Sequence, residues 1–481
     1  MYKKIQLFFR QSPVAVTFIA SLLLSLIARF GSIINRDGML YVNTAEAYLD
    51  GGFAAAKALF AWPFLSIAIA YASQITGLAI EDAGYLLNAF FMAGACALMV
   101  ACVQRKMPEL VWISALTILA VPGLNEYRNE LLREFGCWFF VMLTIWLALK
   151  WDERPSWSGA VCLQASLFFA ALFRPEALTL YAALIGWQFF AKDQRWRRLT
   201  MIGALPTIGG AILVILYLSG QLGNGRLANE FSRLNLNRFN DKANVLAGGL
   251  FSYAHANAPS ILLFGSLALV PIKLIQKFGI FLVPLFFFAK YENTSQPRTF
   301  ERLLWCLIGI QLSVLAIFVI DLQFLAGRYV GLLLLFSTPF AATGLHEMFS
   351  RWPVLKKPTL AILIILALTN VTSTGSTKAY FVDAGKWLAN NSTSSQRVYI
   401  DSGRTAYHAG WKNVHLEERN NRAAIEKAVT EKQSDLFVLE ISRKDAPVDD
   451  WLKKLGLTEI RRFKLNDKDA VIILTPNQQE Q

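Results

Sequence analysis

MYKKIQLFFRQSPVAVTFIASLLLSLIARFGSII, residues 1–34, joins a basic start to an apolar stretch longer than a signal-peptide core and without a small-residue cleavage site. It reads as an uncleaved first transmembrane helix, about 12–34, with its N-terminus inside. Long apolar runs recur up to about position 374 and then stop. The 481-residue chain is 55% hydrophobic and 17% charged, and its mean hydropathy is +0.40. A soluble domain is nearer roughly a quarter charged. The fold class expected is therefore an α-helical polytopic membrane protein, residues 1–376, followed by a small soluble α/β domain, residues 377–481.

The net charge of +13 does not point to nucleic acid. From Lys378 onward the tail carries 17 basic and 15 acidic residues, so the excess sits in short clusters between the apolar runs. That is the pattern the positive-inside rule produces. The five cysteines (Cys96, Cys102, Cys137, Cys162, Cys306) all fall within apolar runs and form no CxxC pair, which reads as small buried hydrophobes.

Working outward from the first helix, residues 35–82 become an outer loop. The run 59–79 decides the parity of every later crossing. If it crosses, the basic loop Gln104-Arg105-Lys106 falls outside; if it lies in the interface, that loop is inside, as the charge rule prefers. With 59–79 interfacial, helices follow at about 84–103, 110–123, 135–150, 157–173, 176–191, 199–218, 274–289, 302–320, 328–346 and 357–374. The cluster Lys192, Arg195, Arg197, Arg198 then lies inside, and 260–272 re-enters or lies flat in an outer loop. The count is about eleven crossings, or thirteen if 59–79 and 260–272 pair differently. In the tail, FVDAGKWLANN and RAAIEKAVTEK have amphipathic helical spacing, while RVYID, DLFVLEI and DAVIILTP read as buried strands.

Under this topology the outer side collects charges close to helix ends, where ionised groups are costly and so are candidates for function. Asp37 lies in INRDGMLYVNTAEAYLDGG, where capping of the next helix is the plain alternative. Glu130, Arg133 and Glu134 have i, i+3, i+4 spacing and would share one helical face, although the helix dipole alone also favours acids there. Arg174-Pro175-Glu176 interrupts a long apolar run that Pro175 alone would break. Arg328-Tyr329 sets a guanidinium beside a phenol, with Asp321 seven residues earlier as a candidate neutralising partner. Arginine suits phosphate through its planar fork of donors, and a carboxylate suits activation of a hydroxyl. Together they fit a membrane-anchored phosphate that carries a sugar.

At these residues the chain resembles the glycosyltransferase C superfamily, most of all the branch holding protein O-mannosyltransferases and the aminoarabinose transferase of lipid A. The stretches that carry the likeness are RDG-x-x-Y-x-x-x-A (Arg36, Asp37, Gly38, Tyr41, Ala45), NELLRE, FRPEAL and GRY, in that order across residues 1–375. The resemblance implies an inverting transfer of sugar from a polyprenyl-phosphate donor to an acceptor hydroxyl or phosphate on the outer face of a bacterial inner membrane. It implies Asp37 as catalytic base, Glu130 or Glu134 at the acceptor or a divalent metal, and Arg174, Arg328 and Arg133 at the donor phosphate. Arg36, Tyr41, Glu176, Asp321 and Tyr329 would support them. A metal at Asp37/Glu130/Glu134 is open, since relatives differ on it. The partners implied are the lipid-linked donor, a glycan, lipid or protein acceptor, and the bilayer, with no nucleic acid. The alternative reading is a transporter or polymerase of lipid-linked glycans, although transporters place their charges nearer the membrane midplane.

Overall fold

Helices follow the apolar runs, because a chain in lipid must satisfy its backbone hydrogen bonds within itself. In the computed structural model the residues described are 12–191, 193–219, 236–288, 299–372, 378–392, 396–411, 414–442, 448–466 and 469–477. Their helices are α1 (Pro13–Arg29), α2 (Arg36–Leu59), α3 (Phe64–Thr76), α4 (Ile80–Lys106), α5 (Val111–Ala120), α6 (Pro122–Asn125), α7 (Arg133–Glu153), α8 (Trp157–Phe173) and α9 (Leu180–Phe189). Then come α10 (Arg195–Leu218), α11 (Leu236–Gly248), α12 (Ala258–Phe278), α13 (Leu282–Phe288), α14 (Thr299–Leu322), α15 (Gly331–Arg351) and α16 (Lys356–Thr369). Lys192 and residues 289–298, which include Lys290 and Arg298, lie outside the described residues.

Six helical segments among the described residues are long and apolar enough to cross a membrane, which makes this a multi-pass membrane protein. The other expected crossings correspond to shorter helices, among them α1 and α8 at 17 residues each. Within the best apolar window, 83% of the segment Gly327–Arg351 is buried but only 17% of α10. The first therefore lies at the centre of its unit and the second at the edge. Close approach at the centre depends on glycine: a Cβ on Gly344 of α15 would collide with the backbone carbonyl of Pro284 in α13.

Two expectations change here. The run 260–272 is not separate from the chain that follows it. It belongs to one continuous helix, since α12 runs unbroken past Lys273 to Phe278. Lys273, between the two apolar runs, lies on the helix and donates to Gln276 Oε1 at 3.1 Å. The break falls instead at Gly279, whose φ of 57° turns the chain into α13. Asp37, whose plain alternative was to cap the next helix, lies inside the first turn of α2, which starts at Arg36 and continues to Leu59, kinked where Gly52 has φ 69°.

The chain divides into two compact units, one of Met1–Arg29 with Thr44–Thr372 and one of Phe30–Asn43 with Ser373–Gln481. In the second unit, α17 (Ala379–Asn391), α18 (Gly403–His408), α19 (Arg422–Thr430) and α20 (Asp449–Lys454) accompany a four-stranded sheet of order β1-β2-β4-β3. The strands are β1 (Val398–Ile400), β2 (Leu436–Ile441), β3 (Leu457–Lys464) and β4 (Ala470–Pro476). β1 and β2 run parallel; β4 is antiparallel to both β2 and β3. Successive residues point to opposite faces, so Val438, Val471 and Ile473 pack with Phe381 and Leu388 of α17. Phe437, Leu439, Ile472 and Leu474 pack with Ile425 and Ala428 of α19. Helices on both faces bury both sides of the central strands, which is why DLFVLEI and DAVIILTP are apolar runs and not alternations.

Candidate functional site

The site in the first unit is built from three chain turns. Leu132 is extended (φ −137°, ψ 138°), and α7 begins directly after it with Arg133 and Glu134 in its first turn. Arg174, also extended, ends α8, and Pro175 opens a short 3-10 turn that carries Glu176. A second 3-10 turn, Gly327–Val330, presents Arg328 and Tyr329 at the head of α15. Gly331 lets that turn approach α7, since a Cβ there would strike the indole of Trp138.

Three turns far apart in sequence thereby close on one carboxylate. Arg174 Nη1 donates to Glu134 Oε1 at 2.6 Å, and Arg328 Nε lies 3.3 Å from the same oxygen. Arg174 Nη2 donates to Glu176 Oε1 at 3.0 Å. The Arg174 guanidinium stacks 4.7 Å from the centre of the Tyr329 ring, and Arg328 lies 5.6 Å from it. The Glu134 side chain is only 4% exposed and that of Arg174 13%, so this is a desolvated ion cluster and not a rim pair. Arg133 is close enough to act on Glu176 electrostatically, and its buried Nη1 has no hydrogen-bond partner among the described residues. Arg174 and Arg328, together with Glu134 and Glu176, line a cleft of about 50 Å³. Gln311 and Phe318 of α14 line its other wall.

The arrangement corrects part of the sequence reading. Glu130 does not share a helical face with Arg133 and Glu134, because it sits in a bend and the extended Leu132 resets the phase. Glu134, held by two guanidiniums, is placed to orient them. Asp321 turns to Lys242 Nζ at 3.4 Å and Arg238 Nη2 at 3.8 Å, both on α11. Asp37, Arg36 and Tyr41 lie in the first turns of α2, within the segment Phe30–Asn43 of the second unit. Among the described residues no three His, Cys, Asp or Glu side chains gather as a group that could hold a metal ion.

Sequence reasoning passed over two neighbours of the cluster. Arg128 is fully enclosed between α1 and α4, donating to Ser21 O at 2.8 Å, Ser25 Oγ at 2.6 Å and Asn125 Oδ1 at 2.8 Å. It pins the turn that leads into α7, with neutral partners throughout. Nothing in NEYRNELLRE separates it from Arg133; only the paired serines at positions 21 and 25, one turn apart on α1, could have pointed to it. Lys277 of α12 reaches Glu126 Oε1 at 2.5 Å beside Tyr127. Burial and Glu126 push the Tyr127 phenol up, so it stays protonated and able to donate.

In fold, this helical membrane protein is similar to a solved oligosaccharyltransferase, at low sequence identity. Among solved structures the chain is similar to the Archaeoglobus fulgidus oligosaccharyltransferase tethered with an acceptor peptide containing the NVT sequon. That match has TM-score 0.56 and 12% identity over 90% of this chain and 70% of that one. The same archaeal protein in complex with Zn and sulfate matches with TM-score 0.51 and 14% identity, over 85% and 58% of the two chains. ArnT from Cupriavidus metallidurans bound to undecaprenyl phosphate matches at TM-score 0.46 and 13% identity, over 96% and 98%. No protein-family model matches the chain, and no curated protein matches it in sequence.

Proposed function

We propose that the protein is a membrane-bound, inverting glycosyltransferase that moves a sugar from a polyprenyl-phosphate donor to an acceptor on the outer face of a bacterial inner membrane. The observation that carries this reading is the Glu134-centred cluster, where Arg174 and Arg328 are held by a shared carboxylate beside Tyr329. The leaving group of such a transfer is a phosphate already bearing negative charge. It needs fixed donors more than it needs an acid, and guanidiniums oriented in a dry cleft supply them without reorganising during the reaction. The small free space fits a phosphate better than a sugar. The sugar would therefore project from the cleft, where the acceptor meets it. Asp37 is assigned the proton of the acceptor hydroxyl, with Arg36 and Tyr41 beside it in the chain. Glu130, on the turn pinned by Arg128, is assigned to the acceptor.

The test is transfer of labelled sugar from a short-chain polyprenyl phosphate by purified protein. Asp37→Asn is expected to lower kcat about 1,000-fold with donor binding retained, the scale of losing a general base. Arg174→Gln is expected to weaken donor binding and kcat together. Transfer at the parental rate by folded Asp37→Asn removes Asp37 as the base. Parental transfer by Arg174→Gln removes the phosphate reading of the cluster.

A further inference from the structure

A second polar cavity lies at the other end of α7. Asp152 is eighteen residues beyond Glu134, so the two are roughly 27 Å apart along the helix axis. That is close to the ~30 Å hydrocarbon thickness of a bilayer, which sets this cavity in the opposite headgroup layer. It has about 200 Å³ of free space and is lined by Asp152, Gln188, Asp193, Arg198, Thr299 and Arg302. The transfer reaction has no use for it, and the inference does not depend on that reaction.

The lining carries both polarities. Arg198 in the first turn of α10 and Arg302 in the first turn of α14 bring their charges to the positive ends of two helices. Asp152 in the last turn of α7 and Gln188 in the last turn of α9 sit at the negative ends of two others. Arg198 Nη1 pairs with Asp152 Oδ1 at 2.6 Å, and Arg302 Nη1 donates to Phe190 O at 3.1 Å. Two groups are left over. Gln188 is 1% exposed, and its enclosed Oε1 has no partner among the described residues. The buried Nε of Arg198 likewise lacks a partner. An enclosed acceptor and an enclosed donor on two residues that line one polar cavity are costly unless something binds both.

An anion alone satisfies the arginine but not the amide oxygen, and it meets Asp152 and Asp193. A cation alone meets the two arginines. A group with a phosphate and a hydrogen-bearing ammonium satisfies both sides. The exposed aromatic residues beside the cavity, Phe189, Phe190 and Trp196, suit the boundary between headgroups and acyl chains. We propose that this cavity binds a phosphoethanolamine group, with its phosphate at Arg198 and Arg302 and its ammonium at Gln188 Oε1 and Asp193. Arg198 and Arg302 then do more than orient the chain by their charge.

The experiment is native mass spectrometry and thermal unfolding of the full chain in detergent, with added phosphatidylethanolamine, phosphatidylcholine, phosphatidylglycerol or free phosphoethanolamine. Phosphatidylethanolamine should be retained about tenfold more than phosphatidylcholine, whose quaternary ammonium has no N–H for Gln188. Gln188→Leu, which keeps the volume, should abolish that preference without lowering the unfolding temperature of lipid-free protein. Arg302→Gln should weaken retention of both zwitterionic lipids. Stabilisation by free phosphoethanolamine equal to that by the lipid supports the site with a soluble occupant, and stabilisation by the lipid alone supports a lipid occupant. Equal retention of ethanolamine and choline lipids, preference for phosphatidylglycerol, or an undiminished preference in Gln188→Leu overturns the proposal.

Discussion

Glu134 illustrates how one carboxylate is committed by its surroundings. Its side chain is 4% exposed and is engaged by Arg174 and Arg328, so its charge is counted on by two cations. Removing one member of a buried pair strands the other at about 3–5 kcal/mol. Glu134→Gln and Arg174→Gln should each lower stability by about 3 kcal/mol, whereas the double variant should lose at least about 1 kcal/mol less than their sum. Thermal unfolding of the four proteins measures this, and strict additivity would show that the two side chains are not partners. Arg133, Glu134, Arg174, Glu176, Arg328 and Tyr329 were legible as candidates because charges at helix ends beside lipid stand out in sequence. Their partnership was not legible. Glu130 looked like a member of the same face, yet one extended residue, Leu132, breaks the spacing on which that inference rested.

At the scale of elements, the end of β1 carries a titratable group with a consequence for the whole sheet. Asp401 follows β1 directly, is 3% exposed, and accepts the backbone N–H of Glu440 at 2.6 Å. Burial raises its carboxyl to about 7, against the pull of the backbone donors from Glu440 and Asn420. The folded value lies above the ordinary Asp value of about 3.9. Its contribution to stability is therefore fully present below about pH 4 and is lost as pH rises through about 7. The urea midpoint for loss of protease resistance in the second unit should fall between pH 5 and pH 8.5, and Asp401→Asn should flatten that slope. A midpoint that rises over this range contradicts the assignment. Of the strands, β1, β2 and β4 were legible as apolar runs. β3, LTEIRRFK, was not, since it is an edge strand whose residues are mostly exposed and charged. α12 was read as a loop segment, 260–272, and a helix from 274, because the charged Lys273 falls between two apolar runs.

For the whole molecule, the orientation expected from the basic loops can be tested directly. Asn391→Cys at the exposed end of α17 should react with an impermeant maleimide on intact spheroplasts. Arg154→Cys, exposed just past α7, should react only after lysis. The reverse pattern would invert the topology and place the arginine cluster inside. The sequence by itself determined the membrane class, the order of the helices and most of the strand content of the tail, because hydropathy and side-chain period are local properties that a linear chain displays. Only the tertiary structure decided that Arg174 and Arg328 meet at Glu134, that Arg128 serves as an internal clasp, and that Gln188 and Arg198, each with an unsatisfied atom, line one cavity. Each of these joins residues from ten to more than a hundred positions apart. Such pairings depend on where helices end and how closely they pack, which no local pattern records.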